Sequence, residues 1–219
     1  EQTAQKSAEL LQKAFEKSFD VVLEKGSSWI GKICGEEKKL RRYEVFSQKT
    51  LSGWELSKLG CEVAARASAN MVFSSVQGGM MGALGIGLPD VPIFLAAVFK
   101  TLFEISLSFG YPYDTKQEQT YQMLLICAAV GEEAERKQAA VDANIVAQQI
   151  RMGAGICSVS FEEAKQRASK ALCSAALMGK MVQGAPIIGV YGGFRNGVLL
   201  KQIGTVAAVK YQQRMLRER

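Results

Sequence analysis

Three carboxylates, Asp90, Glu104 and Asp114, an amine, Lys100, and a carboxamide, Asn196, stand in or beside the glycine- and proline-marked stretches of a 219-residue chain. Carboxylates that move protons, with an amine and an amide to hold developing charge, are what a hydrolase without histidine would use. Histidine is absent altogether, which excludes Ser/His and Cys/His nucleophile pairs, His-ligated zinc and the EXXH di-metal helix. The spacing works against a two-carboxylate site, because Asp90 and Glu104 fall on one predicted helix about 21 Å apart along its axis. Asp90 is better placed as an N-cap, and Glu104 follows Lys100 at the four-residue spacing of a helical ion pair. Glu132, Glu133 and Glu135 form an acidic first helical turn, placed to oppose a helix dipole rather than to ligate a metal. A carboxylate-dependent hydrolase of unknown substrate is kept as the alternative reading, with no catalytic residue, metal or cofactor assigned.

The segment "GGMMGALGIGLPDVP", residues 78–92, raises a second kind of chemistry, phosphate cradling. Dinucleotide sites need GxGxxG after a strand and P-loops need GxxxxGK[ST]. Here Gly82-x-x-Gly85-x-Gly87 is reversed, follows a helical pattern and lacks the lysine. The uncharged run 67–89 is formally long enough to cross a bilayer, but Asn70, Ser74, Ser75, Gln77 and the glycines dilute its hydrophobicity. Gly78-x-x-x-Gly82 recurs in kind as Gly189-x-x-x-Gly193-x-x-x-Gly197, and glycines at that spacing bare one helix face for close packing. Packing ridges are therefore the expected role of both segments.

Charge is distributed unevenly. Residues 1–66 carry 12 Lys/Arg against 10 Asp/Glu, residues 67–131 carry 2 against 4, and residues 132–219 carry 13 against 7, for the net +6 of the chain. Lys201, Lys210, Arg214, Arg217 and Arg219 crowd the basic end near Tyr211, Met215 and Leu216, a pattern suited to an anionic surface. Nucleic acid is not an expected partner, because these residues are not interleaved with a recognised module. Five widely spaced cysteines without a CxxC pair read as reduced, mostly core residues of an intracellular protein. Residues 1–15 are charged and amphipathic, without the apolar centre of a secretory signal.

Eight helices must position these residues. Leu11, Phe15, Phe19 and Val22 mark the first, ended by Gly26; Glu36–Gln48 and a segment from Leu51 to the glycine-rich stretch give two more. Asp90 opens an almost charge-free helix through Phe109, with Pro92 in its first turn. Asp114 and Gln117 resemble a capping box for the next helix. An Ala/Gln-rich helix runs from Glu132 to Met152 and stops at Gly153–Gly155. Ser160 and Glu163 form a clearer box before residues 161–182, and Pro186 opens the last helical region. No run alternates with period two long enough to demand a strand, so the expected fold is all-α. One domain, residues 1–219, forms a bundle of about eight helices with Gly-rich close-packing segments.

Taken together, "GGMMGALGIGLPDVPIFLAAVFKTLFEISLSFGYPYD" and "APIIGVYGGFRNGVLLKQIGTVAAVKYQQRML" resemble the two signature regions of the EcsC family. The family's Gly-rich stretch and Leu-Pro-x-Asp-like turn fall on residues 78–92, and its Ile-Ala-x-x-Tyr-Gly-type helix end on 104–114. Its Pro-x-x-Gly…Asn segment falls on 186–196 and its Ala…Arg-x-Leu helix on 207–216. The family is named for a bacterial operon that also encodes an ABC transporter and affects protein secretion, so the resemblance implies a membrane-linked process without a named reaction. The expected function is a non-catalytic helical module, cytoplasmic and peripheral to a membrane. It would bind a membrane surface, lipid or a membrane protein through Asp90, Lys100, Glu104, Asn196, Lys201, Lys210, Arg214 and Arg217.

Overall fold

Phe15, Phe19, Val22 and Leu23 lie on one side of the first helix and are buried there, while Lys13, Lys17 and Glu24 face solvent. The computed structural model that provides this geometry describes residues 2–26, 90–181 and 190–218. Within them lie α1 (Gln2–Val21), which continues as a π-helical turn to Gly26, α2 (Asp90–Ser108), α3 (Lys116–Val130), α4 (Glu133–Arg151), α5 (Phe161–Met181) and α6 (Val190–Glu218). Every described element is helical, as the periodicity requires. The helices expected at 36–48 and from residue 51, the run 67–89 and the glycines of 78–87 lie outside the described residues.

α1 packs on α2 and α5, α2 on α6, α6 on α3, and α3 on α5, with α4 laid against α3. α3 has neighbours on most sides, and its residues from Glu118 to Cys127 are all buried. α2 is buried almost as fully. Its stretch Val91–Ser108 is long and apolar enough to cross a membrane, and 83% of it is inside the fold. Phe19 of α1 meets Phe99 edge-on at 5.6 Å, Phe99 meets Phe103, and Phe103 meets Tyr113 at 4.5 Å. This aromatic row joins α1 to α2 and to the turn after it. Gly204 brings α6 against α2: a β-carbon there would stand 3.4 Å from Thr101 Cγ2. It follows Gly197 by seven residues and so shares its side of the helix.

The helix ends obey local chemistry. Thr115 caps α3, its hydroxyl accepting from the Glu118 N–H at 3.2 Å, so the cap stands one residue beyond the expected Asp114. The Glu118 side chain does not return to complete a capping box. Ser160 caps α5 as expected, accepting from the Glu163 N–H at 3.1 Å. α2 starts at Asp90 with Pro92 in its first turn, where a missing N–H costs no helical bond. α4 closes in a Schellman motif: the Gly153 N–H donates to Ile150 O and the Ala154 N–H to Gln149 O. Gly153 takes φ 69° there, a left-handed conformation that favours glycine.

Candidate functional site

Tyr211, Arg214 and Glu218 lie on α6 at spacings of three and four residues, and so do Glu118, Tyr121 and Gln122 on α3. The two sets share one side of each helix and meet where α3 and α6 pack. Arg214 Nη1 donates to both Glu118 oxygens, at 3.0 and 2.9 Å, and the Tyr211 hydroxyl donates to Glu118 Oε1 at 2.6 Å. Arg214 Nε donates to Glu218 Oε1 at 3.2 Å, and the Tyr111 hydroxyl donates to Glu218 Oε2 at 2.7 Å. The Arg214 guanidinium lies 4.1 Å from the Tyr111 ring centre and 5.2 Å from that of Tyr121, within cation–π range. Glu118 and Tyr211 have no exposed surface.

Burial pushes the Glu118 carboxyl above its ordinary value, against the downward pull of Arg214 and of the Tyr211 hydrogen bond. Arg214 moves the other way from what burial alone would give, because the charge of Glu118 and its hydrogen bond outweigh desolvation and hold the guanidinium more firmly protonated. The two directions differ from those of an exposed pair, in which each partner favours the other's charge. Glu118 is the more completely enclosed and carries the larger desolvation cost. The Tyr211 hydroxyl is pushed well up by burial and by the adjacent carboxylate, which keeps it a proton donor. The arrangement is a structural clamp in which Gln122 Oε1 is a buried acceptor with no partner among the described residues.

A second basic centre sits between α4 and α5. Arg167 binds Glu135 at 2.9 Å, Asp142 at 2.8 Å and Glu163 at 3.6 Å. Beneath it the Cys127 thiol is pushed up to about 12 by burial, with the Glu135 charge adding, and so stays protonated and inert. Lys165 joins α5 to α1 through Asp20 at 2.7 Å and also holds Glu162. Cys127, Cys157 and Cys173 are free. Among the described residues no group of three or more Cys, Asp or Glu is placed to hold a metal ion.

The model of the EcsC protein family matches residues 1–216. This chain belongs to the EcsC family. No curated protein and no solved structure matches it. In this EcsC chain the residues singled out from sequence disperse. Lys100 and Glu104 form a buried ion pair at 3.2 Å on α2. Asp90 begins that helix, Asp114 is exposed before α3, and Asn196 lies in the first two turns of α6. The carboxylates of the hydrolase reading are thus not gathered among the described residues.

The basic end divides in two. Lys201 and Arg217 are exposed, whereas Arg214 is enclosed in the clamp and is not offered to a surface. Lys210 is half-buried and spans to α4, donating to Ala140 O at 3.0 Å and Asn144 Oδ1 at 3.1 Å. Burial, and next the charge of Arg217, lower its pKa. Arg151 reaches back from α4 to Arg217 O at 3.0 Å, so the two helices are bridged twice. Sequence reasoning missed Glu118, Tyr111 and Arg167, and it set Tyr211 beside the basic end rather than on Glu118. The available signal was the paired three- and four-residue spacing of polar and aromatic residues on two helices.

Proposed function

We propose that this chain is a non-catalytic helical module that associates with an anionic membrane surface, at which it binds lipid or a membrane protein in a transport- or secretion-related process. The observation that carries the reading is the outward face of α4 and α6. Val198, Val209 and Leu216 are exposed and fall 11 and 7 residues apart on α6, hence in line over about 27 Å. Val141, Ile145 and Met152 are exposed along α4 in a second line. Arg151, Lys210 and Arg217 occupy the seam between the helices, and Lys201 flanks the α6 line. No carboxylate occurs in 143–161 or in 196–217. Apolar rows with cationic flanks match the headgroup boundary of an anionic bilayer.

The exposed Arg151, Lys201 and Arg217 each add about 1 kcal/mol near such a surface, together about a hundredfold in affinity. Flotation with phosphatidylcholine vesicles, with and without phosphatidylserine, and across salt concentration tests the reading. Binding that requires phosphatidylserine and weakens with salt supports it. Protein left unbound with every vesicle and salt sinks it.

A further inference from the structure

The C-terminal turn of α4 has the construction of an insertion tip. Met152 is 67% exposed and Ile156 is 89% exposed, the two most exposed large apolar side chains among the described residues. They flank Gly153-Ala154-Gly155, and no charged residue occurs from Met152 through Ser160. Two large apolar side chains held in water at a turn are unfavourable unless something covers them.

Part of the backbone beneath them is already paired. The N–H groups of Met152, Gly153 and Ala154 donate to Gln148 O, Ile150 O and Gln149 O. Gly155 O accepts from Gln117 Nε2 at 3.4 Å, and the Ser158 N–H donates to Gln149 Oε1 at 2.8 Å. Each internal pair lowers the number of polar groups the turn would bring toward an apolar boundary. Val159 is buried and anchors the returning chain. Arg151 immediately precedes the turn and is joined to Arg217 through the Arg217 carbonyl, and both are exposed.

We infer that Met152 and Ile156 insert into an anionic bilayer as the leading edge of the α4–α6 face, with Arg151 and Arg217 at the phosphate level. The inference rests on the membrane reading above and assigns its point of entry. A second copy of this chain is the poorer occupant, because a twofold contact through the tip would bring the arginines of both copies together.

The test compares the full chain with Met152→Asp and Ile156→Asp in flotation with phosphatidylcholine vesicles containing a minority of phosphatidylserine. Each substitution is expected to weaken vesicle binding by about tenfold or more, the scale of one apolar side chain withdrawn from the interface. Melting temperatures are expected to match the parent, since both side chains contact mainly solvent. Parent-like vesicle binding by both variants overturns the tip while leaving membrane association intact. A parent chain that binds no vesicle overturns both. Light scattering that shows a dimer which the aspartates dissolve makes the tip a contact between copies and likewise overturns the inference.

Discussion

Removing one partner from the Glu118–Arg214 clamp is expected to destabilise the fold far more than removing both. In Glu118→Leu the Arg214 guanidinium, only 6% exposed, keeps Glu218 but loses the carboxylate that takes two of its contacts. Breaking a buried pair by removing one partner costs about 3–5 kcal/mol. That is a large share of the ~5–15 kcal/mol by which a domain is stable, and it lowers the melting temperature by roughly 2–4 °C per kcal/mol at this chain length. The Tyr211 hydroxyl also loses its 2.6 Å acceptor, which adds to the loss because an unsatisfied buried donor costs about 1–3 kcal/mol. Arg214→Met leaves the opposite charge buried, and the site relieves that by protonating Glu118. The carboxyl pKa is already raised by burial, and without Arg214 it rises further. A raised folded-state pKa gives stability that is complete below the ordinary 4.5 and is lost as pH rises through the folded value. The deficit of Arg214→Met relative to the parent is therefore expected to shrink as pH falls from 7 toward 5. The double replacement Glu118→Leu/Arg214→Met removes both desolvation costs and is expected to cost less than either single change. Urea unfolding of the four proteins provides the cycle, with Glu118→Gln as a milder variant should Glu118→Leu fail to fold. Additive single losses, or a Glu118→Leu loss below about 1 kcal/mol, would refute the view that this buried pair is a mutually dependent clamp.

Further outcomes follow from the same geometry. Lys165, whose burial would lower its pKa but whose hydrogen bonds to Asp20 and Glu162 raise it above 10.5, supports the α1–α5 contact fully below that pH and progressively less above it. Lys165→Met is expected to cost about 1 kcal/mol at pH 8, with the gap to the parent narrowing in thermal melts as pH is raised beyond 10.5. Gly153→Ala meets no atom within 4 Å but must hold φ 69°. It is expected to cost about 1–2 kcal/mol, read by urea titration, and an unchanged midpoint would remove the left-handed cap from the account. Gly204→Leu drives a side chain into Thr101 and Ile105 and is expected to lose about 1–3 kcal/mol. Amide exchange should then speed up in α2 and α6 before α4.

Much of this fold is legible because its signals are local. The α1 stripe of Phe15, Phe19 and Val22, the Ser160 cap and the Gly153 stop each depend on residues within one or two turns, and the structure places each of them where the sequence does. The Lys100–Glu104 pair has the same origin, since four-residue spacing alone brings the side chains together. The cap of α3 falls one residue beyond the expected Asp114 because Asp114 and Thr115 are both competent, and the position of the first helical turn selects Thr115. α3 itself carries no amphipathic stripe to read, because neighbours cover most of it. Glu118, for the same reason, looked like one more acidic residue near a helix start.

Composition and spacing by themselves determined that this chain is helical, that histidine-based chemistry is closed to it, and where most described helices begin and stop. Only the tertiary structure decided the fate of its charges. Arg214 and Arg217 lie three residues apart and read alike in sequence, yet one is enclosed by Glu118, Glu218 and two tyrosine rings and the other faces solvent. The physical reason is that Arg214 lies about 60° around α6 from Tyr211 and stays on the side that meets α3, whereas Arg217, one further step on, has rotated about 120° from it and left that side, and α3 reaches that position only when residues almost a hundred places away in the chain pack against it.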